Sequence, residues 1–162
     1  MGCSMKTILF VLCVLAVTVY LTVAAIEDYR TCEVTRWKHL IGLFPATISI
    51  ISNMKIHSMI DFAIILAFSV IFIGIGLAGV YGMADGFVLA NLTLYFGGIA
   101  GDMGAGMVII ILVIAAFSFL ICHTGKCLIY REEISRNIKG ALIPHILVGY
   151  VAVMIPVLVN AV

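Results

Sequence analysis

Two aspartates are placed where they could do chemistry. Asp28 lies in Glu27–Asp28–Tyr29–Arg30 and Asp85 in Tyr81–Gly82–Met83–Ala84–Asp85–Gly86, each beside long runs without charge. A carboxylate at the edge of an apolar run is costly unless it is paired, solvated or used. Taken singly, each has a plainer reading. Asp85 suits a capping position in a turn, where aspartate binds free helix amides, and Asp28 suits the charge that closes a membrane span. As a pair they suggest more. Two neighbouring carboxylates do not both ionise cheaply, so one keeps a proton while the other stays charged. Such a dyad activates a water as base and protonates a leaving amine as acid. That is peptide hydrolysis with neither a covalent intermediate nor a metal.

The elements that must bring the two acids together follow from composition. The chain has 162 residues, 64% hydrophobic and 10% charged, against roughly 45–50% and 25% in an ordinary globular protein. That much apolar surface belongs in a bilayer, and residues 1–162 read as one polytopic membrane domain. Nine Lys/Arg nearly balance eight Asp/Glu, which leaves no basic footprint for nucleic acid. A helix needs about 20 apolar residues to cross the hydrocarbon. Uncharged runs predict spans at Thr7–Ile26, Phe62–Ala84, Met103–Cys122 and Ala141–Val162, and two shorter ones at Leu40–Met54 and Gly86–Gly101. The short runs reach only about 22–24 Å as helices, and flanking residues such as Trp37 and Lys38 can snorkel to complete them. The expectation is an all-α, six-helix transmembrane bundle. The first run is longer than a signal-peptide core and everything after it also belongs in the membrane, so it reads as a span. The Met1–Gly2–Cys3–Ser4 start lacks Ser or Thr at position 6, which disfavours myristoylation.

Positive charge sets the orientation. Six spans put the Glu27–His39 and His123–Gly140 loops and the short Tyr81–Asp85 turn on one side, with Arg30, Arg36, Lys38, Lys126, Arg131, Arg136 and Lys139. The other side has Lys6 and Lys55. The first side is then cytosolic and both termini lie outside. Asp28 and Asp85 share the cytosolic level, while Asp61 and Asp102 fall on the outer face; losing one short span would separate the pair.

Other features have simpler readings. Gly74–Ile75–Gly76–Leu77–Ala78–Gly79 spells a dinucleotide fingerprint, but that motif needs a preceding strand and an exposed helix start. Within an uncharged run, Gly74, Ala78 and Gly82 instead suggest a small-residue face for tight helix packing. The five cysteines are Cys3, Cys13, Cys32, Cys122 and Cys127. A zinc site from Cys32, Cys122, His123 and Cys127 lacks ribbon spacing, and reduced thiols are favoured, so neither metal nor cofactor is expected. Cys127, Tyr130, Ile134 and Ile138 form an apolar stripe among Arg131, Glu132, Arg136 and Lys139, which reads as an interfacial helix ending at Gly140. His57 and His145 have no serine or cysteine in a nucleophile setting and are assigned to packing or hydrogen bonding.

These residues resemble one family, the type IV prepilin peptidases, membrane aspartyl proteases with a G-x-G-D signature. Asp28–Tyr29–Arg30 resembles the family's Asp–hydrophobe–Arg motif after the first helix. Gly82–Met83–Ala84–Asp85, with Leu89–Ala90 and Gly97–Gly98 beyond it, resembles the signature that opens the fourth. Ile143–Pro144–His145 with Gly149 is similar to the last helix. Ala84 stands in place of the second signature glycine, Phe87 where many members have Lys, and Val34–Thr35–Arg36 in place of Ile-Pro-Asn. The resemblance implies a minimal peptidase without the methyltransferase region, in the inner or plasma membrane, with its site at the cytosolic face. Asp28 and Asp85 would be catalytic, with Arg30, Gly82, Ala84 and Gly86 supporting them and small residues admitting an extended substrate backbone. The substrate would be a prepilin-like single membrane helix behind a short basic leader ending in Gly. The alternative is a membrane scaffold or transporter component with catalysis impaired, which Ala84 and the altered first motif favour.

Overall fold

Six α-helices make up the regular structure of the computed structural model, which describes residues 3–31, 33–130 and 141–161. They are α1 (Cys3–Thr31), α2 (Arg36–Asn53), α3 (Met59–Leu77), α4 (Met83–Ala100), α5 (Met103–Tyr130) and α6 (Ile143–Ala161). Four of them, α1, α3, α4 and α5, are long and apolar enough to cross a bilayer, and α6 has a shorter apolar helix at Ile143–Val159. The chain is thus an all-helical, multi-pass membrane protein.

Local chemistry sets the helix boundaries, and some differ from those read off the uncharged runs. The run Phe62–Ala84 does not form one helix. Gly79 adopts left-handed backbone at φ 77°, a conformation that suits glycine, so α3 ends at Leu77 and α4 begins at Met83. At its other end α3 starts earlier than expected. Ser58 accepts from the Asp61 N–H at 3.2 Å while Asp61 Oδ2 accepts from the Ser58 N–H at 2.7 Å, a complete capping box. With 18 residues, α4 rises about 27 Å, close to the hydrocarbon thickness. The interfacial stripe expected from Cys127 continues α5 as far as Tyr130; its remainder, 131–140, lies outside the described residues.

The helices pack as a ring in the order α1–α2–α4–α5–α6, with α3 outside against α4. Leu21, Val88, Leu89, Leu92, Phe96, Val108, Ile111, Ile146 and Tyr150 fill the interior and are almost wholly buried. α4 is covered on nearly every side, whereas Ile8, Val11, Leu12, Leu15, Val19 and Val23 of α1 lie exposed on its outer stripe, an apolar surface suited to lipid. Lipid tails are as apolar as these side chains, so close packing and interhelical hydrogen bonds hold the ring together. Glycines permit that packing. A Cβ at Gly104 of α5 would overlap the Gly97 amide and the Phe96 carbonyl of α4, while one at Gly106 would meet nothing within 4 Å. Gly104→Ala therefore destabilises the protein by at least about 1 kcal/mol, and Gly106→Ala does not, when unfolding is followed in mild detergent.

Candidate active site

Asp28 reaches the bundle interior because it continues the inward stripe of α1. Val17, Leu21, Ala24 and Asp28 recur at helical spacing and all are buried. Its Oδ2 accepts from the Ile143 N–H at 3.0 Å, and the Leu142 backbone also hydrogen-bonds to this carboxylate. The first amides of a helix have no partners of their own, so α6 begins on Asp28. Arg30, expected among the residues supporting the pair, does not hold Asp28. Two residues further along a helix lie about 200° around its axis, and Arg30 accordingly faces outward. Glu27 supplies the link to the next element instead. It pairs with Lys38 at 2.8 Å and accepts from the Thr35 hydroxyl at 2.6 Å, tying the end of α1 to the start of α2.

Asp85 lies in the first turn of α4, at its third residue, and not in the preceding turn. Its Oδ2 accepts from the Gly82 N–H at 3.0 Å, so the N-cap expected of Asp85 is taken by Gly82, and Asp85 secures the helix start from the third helical position. A Cβ at Gly82 would sit 2.9 Å from that same oxygen. Gly82 stays exposed beside the carboxylate. Ala84 lies inside the helix and needs no left-handed backbone; among the described residues the glycines with positive φ are Gly79 and Gly101. The expected disadvantage of alanine at this position is therefore removed. Gly86 faces α3. A Cβ there would come within 2.9 Å of the Phe72 carbonyl oxygen and 3.5 Å of the Gly76 Cα. Nor do Gly74, Ala78 and Gly82 form the expected packing face, since all three are exposed. The α3–α4 approach runs through Gly76 and Gly86. Tyr81 closes it, its hydroxyl donating to the Phe72 carbonyl at 2.7 Å; burial, with the nearby Asp85 charge, pushes its phenol above the usual range.

The two acids lie at the same end of the ring. Asp28 is 5% and Asp85 6% exposed, and their carboxylates lie within electrostatic reach of each other. Among the described residues neither is in an ion pair. Asp61 and Asp102 are at the other end, where Asp61 caps α3 and Asp102 Oδ1 accepts from the Met103 N–H at 2.8 Å. A cavity of about 280 Å³ opens between α1, α2 and α4, lined by Phe10, Cys13, Ser49, Asn53, Tyr95 and Ile99 among others, and reaches neither pair of acids.

Sequence reasoning missed three partners of this region: the α6 amides, Tyr81, and His39, which is buried between α1 and α4. A signal for the first was present, because Pro144 in the opening turn of α6 marks a helix start with free amides. His57 Nε2 donates to the Gly98 carbonyl of α4 at 3.0 Å, a hydrogen-bonding role and no more. His145 does have a serine near it. Its Nδ1 is 2.8 Å from Ser118 Oγ, with Phe119 edge-on to its ring, a tie between α6 and α5 that sequence distance concealed. Among the described residues no group of three His, Cys, Asp or Glu is placed to hold a metal; Cys32 and the Cys127 side chain lie outside them. Compared with known protein families, curated proteins and solved structures, the chain matches none.

Proposed function

We propose that this protein is a membrane aspartyl endopeptidase that removes the leader from prepilin-like proteins at the cytosolic face. The observation that carries this reading is the pair of buried carboxylates, Asp28 from α1 and Asp85 from α4, within electrostatic reach at one end of the ring. In the resting enzyme the pair shares one proton. The ionised member takes a proton from water as its oxygen attacks the scissile carbonyl. The protonated member gives its proton to the leaving amine, and the C–N bond breaks. Water and peptide bond become one carboxyl and one amino terminus. Gly82, exposed next to Asp85, lets a substrate backbone approach, and the outward Arg30 is placed for a substrate carboxylate. The substrate is a single hydrophobic helix behind a short basic leader.

The charge pattern supports a six-span arrangement with both termini outside. Arg30, Lys38 and Lys126 fall at the same end as the acids in this topology, which makes that end cytosolic. The membrane is the inner or plasma membrane.

Co-expression with a prepilin-like substrate tests the reading. Wild-type protein removes the leader, and Ala84→Gly changes the rate little, because position 84 is helical. Absence of cleavage by both forms would overturn the peptidase in favour of a scaffold or transporter component. A large gain from Ala84→Gly would show an impaired protease.

A further inference from the structure

We infer that Tyr20, His39 and Asn91 form a positioning cluster that sets the spacing of α1 and α4 and thereby of Asp28 and Asp85; the catalytic consequence rests on the dyad proposed above. In the ring, α2 stands between the two acid-bearing helices, so something must fix their distance through it. The Asn91 Nδ2 donates to the Tyr20 hydroxyl at 3.3 Å, a direct polar link from α4 to α1. It also donates to the His39 carbonyl of α2 at 2.9 Å. The Tyr20 hydroxyl is 3.0 Å from His39 Nδ1.

One arrangement gives the Tyr20 hydroxyl proton an acceptor within the cluster. The His39 carbonyl only accepts, which orients the Asn91 amide. Both Asn91 hydrogens are then spent, one of them on the Tyr20 oxygen. The Tyr20 proton therefore points to His39 Nδ1, and the imidazole carries its own hydrogen on Nε2. Each member of the cluster fixes the next. The His39 ring is stacked on Phe87 of α4 at 5.3 Å, two residues beyond Asp85.

Gly42 gives independent support. A Cβ at this position of α2 would come within 2.5 Å of the Tyr20 ring and 2.8 Å of Asn91 Nδ2. The middle helix has thus given up a side chain where the outer two meet. Along the axes, the cluster lies about 12 Å from Asp28 and about 9 Å from Asp85. Both acids are held by similar lengths of rigid helix from one locked junction.

The test combines a distance and a rate. Spin labels are placed at two exposed positions, Tyr29→Cys and Met83→Cys, in a monodisperse background without the native cysteines. Their distance distribution is recorded with and without Tyr20→Phe, Asn91→Leu, His39→Leu and His39→Asn. Tyr20→Phe removes one atom and keeps the ring, so it reports on the hydrogen bond alone. It should broaden the distribution and lower kcat for leader removal about 10- to 100-fold with KM unchanged. Asn91→Leu and His39→Leu should do the same, while His39→Asn, which keeps an acceptor for Tyr20, restores both values. An unchanged distribution in Tyr20→Phe and Asn91→Leu overturns the inference, as does a broadened one with wild-type kcat. If the distribution broadens in a protein whose wild-type form cleaves nothing, the dyad reading falls and the spacing role stands.

Discussion

On the proposed reading, Asp28→Asn and Asp85→Asn should each reduce leader removal by about 10²–10⁴-fold, the usual contribution of a general acid–base group, while Asp61→Asn and Asp102→Asn should leave it unchanged. Asparagine is the informative replacement. Its Oδ1 still accepts from Ile143 N–H at position 28 and from Gly82 N–H at position 85, the partners that hold the native carboxylates. The starts of α6 and α4 therefore survive, and the variants should accumulate in membranes and melt like wild type. What is lost is the proton that the pair exchanges. Because the two acids act as a unit, the double variant should be no slower than the slower single one. The control acids serve helix starts at the other end, where an asparagine Oδ1 can still accept from the Ser58 N–H and the Met103 N–H. Processing that persists in either Asp28→Asn or Asp85→Asn, measured by mobility shift of the co-expressed substrate, removes the dyad.

The second large effect is expected at Gly86. Valine there drives its side chain into the Phe72 carbonyl and the Gly76 backbone, where even a Cβ would be 2.9 Å and 3.5 Å from the nearest atoms. Backbone atoms of a packed helix cannot step aside as a flexible side chain can, so α3 and α4 must separate. The cost belongs at the upper end of the roughly 1–3 kcal/mol typical of overpacking. It should appear as a lower midpoint in detergent-monitored unfolding. Leader removal falls with it, because Asp85 is the neighbouring residue and Tyr81 bridges the same contact. Gly74→Val is the matched control. Nothing lies within 4 Å of a Cβ at position 74, so valine there only adds a lipid-facing side chain. Equal losses from both substitutions would show that Gly86 does not define the α3–α4 approach.

Much of the architecture was legible from residues alone. Membrane residence, the all-helical class, and the placement of Asp28 and Asp85 beside long apolar segments all follow from hydropathy and charge. These properties act residue by residue, as transfer free energies that add along a window. Helix limits were less legible. Uncharged runs overlooked Gly79, whose turn divides the run Phe62–Ala84, and so placed Asp85 outside the helix that it opens.

Which faces meet was decided by the tertiary structure. Arg30 stands two residues from Asp28, yet the helix turns it outward and Asp28 instead receives the Ile143 amide of α6, 115 residues away. Gly74, Ala78 and Gly82 had the spacing of a packing face, but Gly76 and Gly86 make the contact. His145 found Ser118 across α5. In water, polarity would mark the inward side of each helix. In a bilayer the lipid-facing side is as apolar as the core, so the sequence determines that these helices enter the membrane, while their mutual packing alone determines which side chains come together.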